Sequence, residues 1–250
     1  MRVFWTLLRR ELGAYFASLT GYVVIAAAAF LIGMSYLDLV VALQQEALPV
    51  HITEVFYQTP YFWIILLLTA PVVTMRLFAL EKFTGTYETL MTTPVRETEV
   101  VLAKFGAALL FYLFMWLPLL GCILVVRRFA GDTGGLDWGA IGTTYLGIML
   151  LGCLFISIGC FASSLTRTQA VAAMVTLLLG VSLFVLSFVA GKLASGDSWQ
   201  AAVVSRFTLR EHMQDFSRGI VDTRPVVFYV SLSLLFLFLT LRVVESRRWK

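Results

Sequence analysis

Charge is scarce in this chain. Only 14% of its 250 residues are Asp, Glu, Lys or Arg, against about 25% in a soluble domain. Histidine occurs twice, as His51 and His212, and cysteine three times, as Cys122, Cys153 and Cys160. The cysteine count is odd and no CxxC spacing occurs, so no disulfide framework or zinc site is expected. All three cysteines sit in apolar runs, as small packing residues do. No GxxxxGK[ST] phosphate loop is present. Gly191-Lys192 lacks both the earlier glycine and a following Ser or Thr, so the chain binds no nucleotide by that motif. Ionisable groups are nearly missing from the apolar runs, which argues against a membrane enzyme and against a proton or sodium coupler. No paired histidines suggest haem. The expectation is a chain with no catalytic residue, cofactor or metal of its own. Any uphill work then draws on another subunit or an ion gradient.

What the chain has is apolar length. Sixty per cent of it is apolar, which excludes intrinsic disorder. Charges bound six uncharged stretches: Glu11–Asp38, Glu54–Arg76, Lys104–Arg127, Asp137–Arg167, Arg167–Lys192 and Arg224–Arg242, enclosing 17 to 29 residues each. A helix needs about 20 residues to cross hydrocarbon, and arginine heads extend the shortest stretch. The runs are continuous rather than alternating, so an outer-membrane barrel is discarded. The first run is too long for a signal-peptide core. The expected fold is all-α and polytopic, a single domain over 1–250 with six transmembrane helices. Twelve of the 19 Lys and Arg fall on the N-terminal side of the spans, which places both termini in the cytoplasm. The basic residues cluster at the ends of apolar runs, so the net charge of +4 is read as membrane orientation and not as nucleic-acid binding.

Segments outside the spans are patterned. Over residues 1–16, Val3, Phe4, Leu7, Leu8, Leu12, Tyr15 and Phe16 recur at helical spacing, with Arg2, Arg9 and Arg10 mainly between them. This is an amphipathic helix suited to the membrane interface, or a simple basic anchor. Between spans two and three, residues 80–94, Phe83, Tyr87, Leu90 and Met91 form one apolar face. Pro94 suits a new helix start, with Glu97 and Glu99 in its first turns. Such an exposed helix either docks a partner or lies on the lipid bilayer. Span four carries Gly139, Gly142, Gly147, Gly152 and Gly159. These favour a tight helix contact, one that two copies of the chain could share, or reflect general glycine enrichment in membrane helices. Pro71 and Pro118 suit kinks. Residues 193–225 are too long for a turn. There Phe207, Leu209, Met213 and Phe216 offer an apolar face for a short helix pair closing an outer mouth, or for a solvated loop.

The stretch Glu81-Lys82-Phe83-Thr84-Gly85-Thr86-Tyr87-Glu88-Thr89-Leu90, then Thr93-Pro94-Val95 and Val100-Val101-Leu102-Ala103-Lys104-Phe105, resembles the loop of ABC type-2 exporter permeases. Phe216 to Asp222 and Glu245-Ser246-Arg247-Arg248-Trp249 are similar to the gliding-motility-associated branch of that family. The resemblance implies a bacterial inner-membrane permease that pairs with a second permease half, identical or related. It also implies two cytoplasmic ABC ATPase subunits that hold the ATP and magnesium. It makes Glu81, Phe83, Gly85, Tyr87, Glu88 and Leu90 coupling residues. It matches 193–225 to an external re-entrant segment, with Phe207, Met213, Phe216 and Gly219 at an outer gate. Gly147, Gly152 and Gly159 are expected in helix packing. The other reading is a non-transporting membrane scaffold that docks a different cytoplasmic protein.

Overall fold

The computed structural model describes residues 2–45, 52–86, 95–130, 138–193 and 208–248. Among these, every regular element is a helix: α1 (Arg2–Ala17), α2 (Leu19–Gln45), α3 (Ile52–Gln58), α4 (Pro60–Thr74), α5 (Ala79–Thr84), α6 (Glu97–Met115), α7 (Leu117–Ala130), α8 (Trp138–Leu165), α9 (Gln169–Leu193), α10 (Leu209–Ser217) and α11 (Thr223–Arg248). Six stretches are long and apolar enough to span a bilayer: Leu19–Val41, Pro60–Thr84, Glu97–Val125, Trp138–Leu165, Gln169–Val189 and Thr223–Ser246. The expected six-span, all-α membrane protein is what the chain forms.

Span four is the axis. In α8, 78% of the apolar window is buried, against 17% in the last span. It packs on α11, α9, α4, α10 and α6. Its glycines allow this. A Cβ on Gly152 would stand 2.3 Å from the Tyr112 ring of α6, and one on Gly159 would stand 2.1 Å from Thr74 Oγ1 of α4. Both positions face neighbours of the same chain.

Two spans are interrupted. Thr59, in extended conformation, precedes Pro60 at the start of α4, where a missing N–H costs nothing. Further on, the helix runs through Pro71 to Thr74, and residues 75–78 turn before α5 begins. In span three the expected kink at Pro118 is a break. Helix α6 closes at Trp116, and α7 restarts with Pro118 in its first turn, where proline is tolerated. The Tyr145 hydroxyl donates to the Trp116 carbonyl at 3.0 Å, so the break leaves that buried acceptor satisfied. Helix α6 begins at Glu97, with Glu99 also in its first turn, as the helix dipole favours. Pro94 lies outside the described residues.

Helix α1 lays much of its apolar stripe on the bundle. Leu8 is buried, and Leu12, Tyr15 and Phe16 pack into the core, chiefly along α6. The Tyr15 ring stacks on Phe111 at 4.8 Å, and its hydroxyl donates to the Val73 carbonyl. The chain's own span, rather than lipid alone, covers this face. The end of the bundle where α1 lies is called the base, and the end where α10 lies the head.

Candidate functional site

At the base, the chain must leave span two and re-enter as span three. The turn at 75–78 exposes two N–H groups at the start of α5. Ser163 of α8 meets both: the N–H groups of Phe78 and Ala79 donate to its Oγ at 3.1 Å each. The Lys82 ammonium donates to the Ser164 carbonyl. Helix α5 is therefore fixed to the end of the axial helix by its backbone and by a side chain. It ends at Gly85, whose φ of 75° is the left-handed conformation that glycine adopts at little cost. Phe83 on this helix stays 73% exposed.

Glu81 points the other way, into the protein. Lys104 of α6, with only 3% of its side chain exposed, donates to Glu81 Oε1 at 2.7 Å and to Glu11 Oε1 at 3.1 Å. Arg10 reaches the same two carboxylates at 2.6 Å (Glu11) and 3.4 Å (Glu81). Burial opposes the charge on Glu11, yet Lys104 and Arg10 hold its carboxyl below the usual glutamate range. Lys104 also lies 5.5 Å from the Phe78 ring centroid. A buried ammonium is tolerable when so paired. This cluster ties α1, α5 and α6 together. Of the six residues the resemblance marks for coupling, Glu81, Phe83 and Gly85 are described, and Tyr87, Glu88 and Leu90 lie outside the described residues. The first three play different parts: Phe83 is offered outward, Gly85 ends the helix, and Glu81 is an inward anchor.

At the head, α10 lies against α8 and α3. Met213 and Phe216 are buried against Gly147, where an added Cβ would stand 3.0 Å from Met213 Sδ and from Phe216 Cδ2. Thr143 of α8 donates to the Phe216 carbonyl at 2.6 Å, and Thr53 of α3 to the Ser217 carbonyl at 2.7 Å. Gly219, at φ 84°, stops α10, and the Ile220 N–H closes on the Asp215 carbonyl. Helix α10 thus lies at the head against α8 and α3, and the rest of the expected helix pair falls outside the described residues. Residues 194–207, including Phe207, lie outside the described residues.

Sequence reasoning missed two features here. Helix α3 sits in what read as an open loop. Its Glu54, a boundary charge by sequence, is 3% exposed. Arg218 grips it through Nε at 3.1 Å and Nη2 at 2.8 Å, and Gln214 donates to it at 3.0 Å. This two-point pairing is a strong form of ion pair. The unpatterned IT-E-VF-YQ run gave only a weak helical signal. The second feature is a cavity of about 480 Å³ between α4, α9 and α10, lined by Trp63, Phe184 and Phe188 and by Gln58, Arg210 and Glu211. Among the described residues, no group of three His, Cys, Asp or Glu side chains is placed to hold a metal.

The family model for the ABC-2 family transporter protein matches residues 12–244. No curated protein matches the chain.

Proposed function

The chain belongs to the ABC-2 family of transporters, as a permease component in the membrane, and on that premise we propose that it exports its substrate under the drive of separate ATPase subunits. The base is then cytoplasmic. Helix α5 and the residues after it form the surface that the ATPase grips, and a second permease half, identical or related, completes the substrate path. The observation that carries this reading is the exposed Phe83 on a helix bolted to α8 through Ser163 and Lys82 and to α6 and α1 through Glu81. A push on Phe83 is delivered to the axial helix, because the anchors leave α5 little freedom to yield. The head cavity, lined by both apolar and polar side chains, supports a path for a molecule with both characters. Export, and the gliding-motility branch, rest on sequence resemblance at the loop and at Phe216–Asp222.

The test is co-purification from membranes in mild detergent, with partners identified by mass and assayed for ATP hydrolysis. An ATPase should be recovered with the wild-type chain. Phe83→Ala should weaken that recovery about tenfold, the effect of losing one apolar interface anchor. Recovery of intact wild-type chain without any ATPase, where a known ABC complex survives the same detergent, would favour the scaffold reading instead.

A further inference from the structure

The apolar run of span two ends at Arg76, and that of span three begins at Lys104. Both cations therefore stand near the base ends of these spans, where a long basic side chain can reach lipid phosphates. Between them, closed on a third side by α1, is a cavity of about 210 Å³ bordered by Glu11, Tyr15, Arg76, Leu80, Glu81 and Lys104. One water needs only about 10–15 Å³ of such space, so the cavity admits a larger polar group.

The charges around it do not balance. Arg76 and Lys104 line it with Glu11 and Glu81, and Arg10 reaches both carboxylates from outside the lining, so the cluster as a whole holds three cations against two carboxylates. Both carboxylates are engaged through their Oε1 atoms by Lys104 and Arg10. Among the described residues, Arg76 makes no ion pair and its buried Nε has no hydrogen-bond partner. The buried Oε2 of Glu81 has none either. Unmet groups of this kind are costly at membrane depth. Arg76 calls for an anionic acceptor, and Glu81 Oε2 for a neighbouring donor.

We propose that this cavity binds the headgroup of an anionic phospholipid that carries a phosphodiester and free hydroxyls. The phosphodiester accepts from Arg76, and a headgroup hydroxyl donates to Glu81 Oε2. A single negative charge cancels the excess positive one. A zwitterionic headgroup would leave the excess in place, and a choline headgroup has no N–H or O–H to offer Glu81. Tyr15, Leu77 and Leu80 supply the apolar border on which the glycerol end of the lipid rests. The lipid then fills the seam between α1, α5 and α6.

Native mass spectrometry of the full-length chain, equilibrated in detergent with equal phosphatidylglycerol, phosphatidylethanolamine and phosphatidylcholine, tests the assignment. Phosphatidylglycerol should be retained over each of the others by about tenfold, as for loss of one charge-assisted contact. Arg76→Gln should abolish the preference. Arg76→Lys keeps the charge without Nε and should keep part of it, and the melting temperature of each variant reports whether it is folded. Equal retention of the three lipids by wild type, or an unchanged preference in folded Arg76→Gln, would overturn the proposal. Binding of soluble glycerol phosphate with no retained lipid would overturn the membrane source.

Discussion

Gly142 and Gly159 lie on the same helix, α8, yet their surroundings are opposite. Nothing stands within 4 Å of a Cβ placed on Gly142, whereas one on Gly159 would meet three atoms of Thr74, the nearest at 2.1 Å. Gly159→Ala should therefore cost about 1–3 kcal/mol through overpacking, and Gly142→Ala should be neutral or stabilising by up to about 1 kcal/mol. Thermal unfolding in detergent compares them, and equal melting temperatures would contradict the packing described. His212 makes a second residue-scale prediction. Its Nδ1 lies 3.3 Å from the Tyr229 hydroxyl. Burial lowers its pKa from the ordinary value, with Asp215, Glu211 and Asp222 partly opposing. The folded state thus prefers the neutral ring. Its contribution to stability is complete above the unfolded value of about 6.5 and is lost as pH falls through the lower folded value. Acidification from about pH 7 to 5 should lower the melting temperature less in His212→Gln than in wild type. An identical pH response in the two would remove His212 from the account.

Among the elements, α5 shows how a short helix is made rigid. A helix of six residues is not stable alone. It persists because Ser163 accepts from the N–H groups of Phe78, its N-cap, and Ala79, its first residue, and Glu81 is locked to Lys104. Ser163→Ala leaves two buried N–H groups without an acceptor, at about 1–3 kcal/mol. Amide hydrogen exchange over residues 78–84 should then quicken. Ser164→Ala should not change it, because Ser164 holds Lys82 through its backbone carbonyl while its own hydroxyl donates to Phe161. Comparable exchange in both variants would refute Ser163 as the cap. Helix α10 is the counterpart at the head. Its sequence, LREHMQDFS, places Leu209, Met213 and Phe216 on one buried side, which was legible as an apolar face. The Arg218–Glu54 pairing was not legible, since the two residues stand 164 positions apart and nothing local matches them.

At the scale of the whole molecule, six spans would put both termini on one side of the membrane, and the distribution of Lys and Arg is the ground on which we propose that this side is the cytoplasm. A reporter that matures only in the cytoplasm should be bright when fused after Lys250. A phosphatase active only outside should work when inserted between 131 and 137. Phosphatase activity at the C-terminal fusion would reverse the orientation and, with it, the side on which α5 is proposed to meet a partner.

The number, order and approximate limits of the spans follow from the sequence alone, because a run of about 20 apolar residues has few other uses and the charges that end each run are local facts. The patterned faces of α1 and α10 follow too, since helical periodicity is local. What covers those faces is not local. The α1 stripe meets α6, Gly152 meets Tyr112, Gly159 meets Thr74, and Glu81 turns inward to Lys104 while Phe83 turns out. These pairings join residues far apart in the chain. Only the close packing of the bundle around α8 decided them, through steric fit at the glycines and the need of each buried charge for an opposite one.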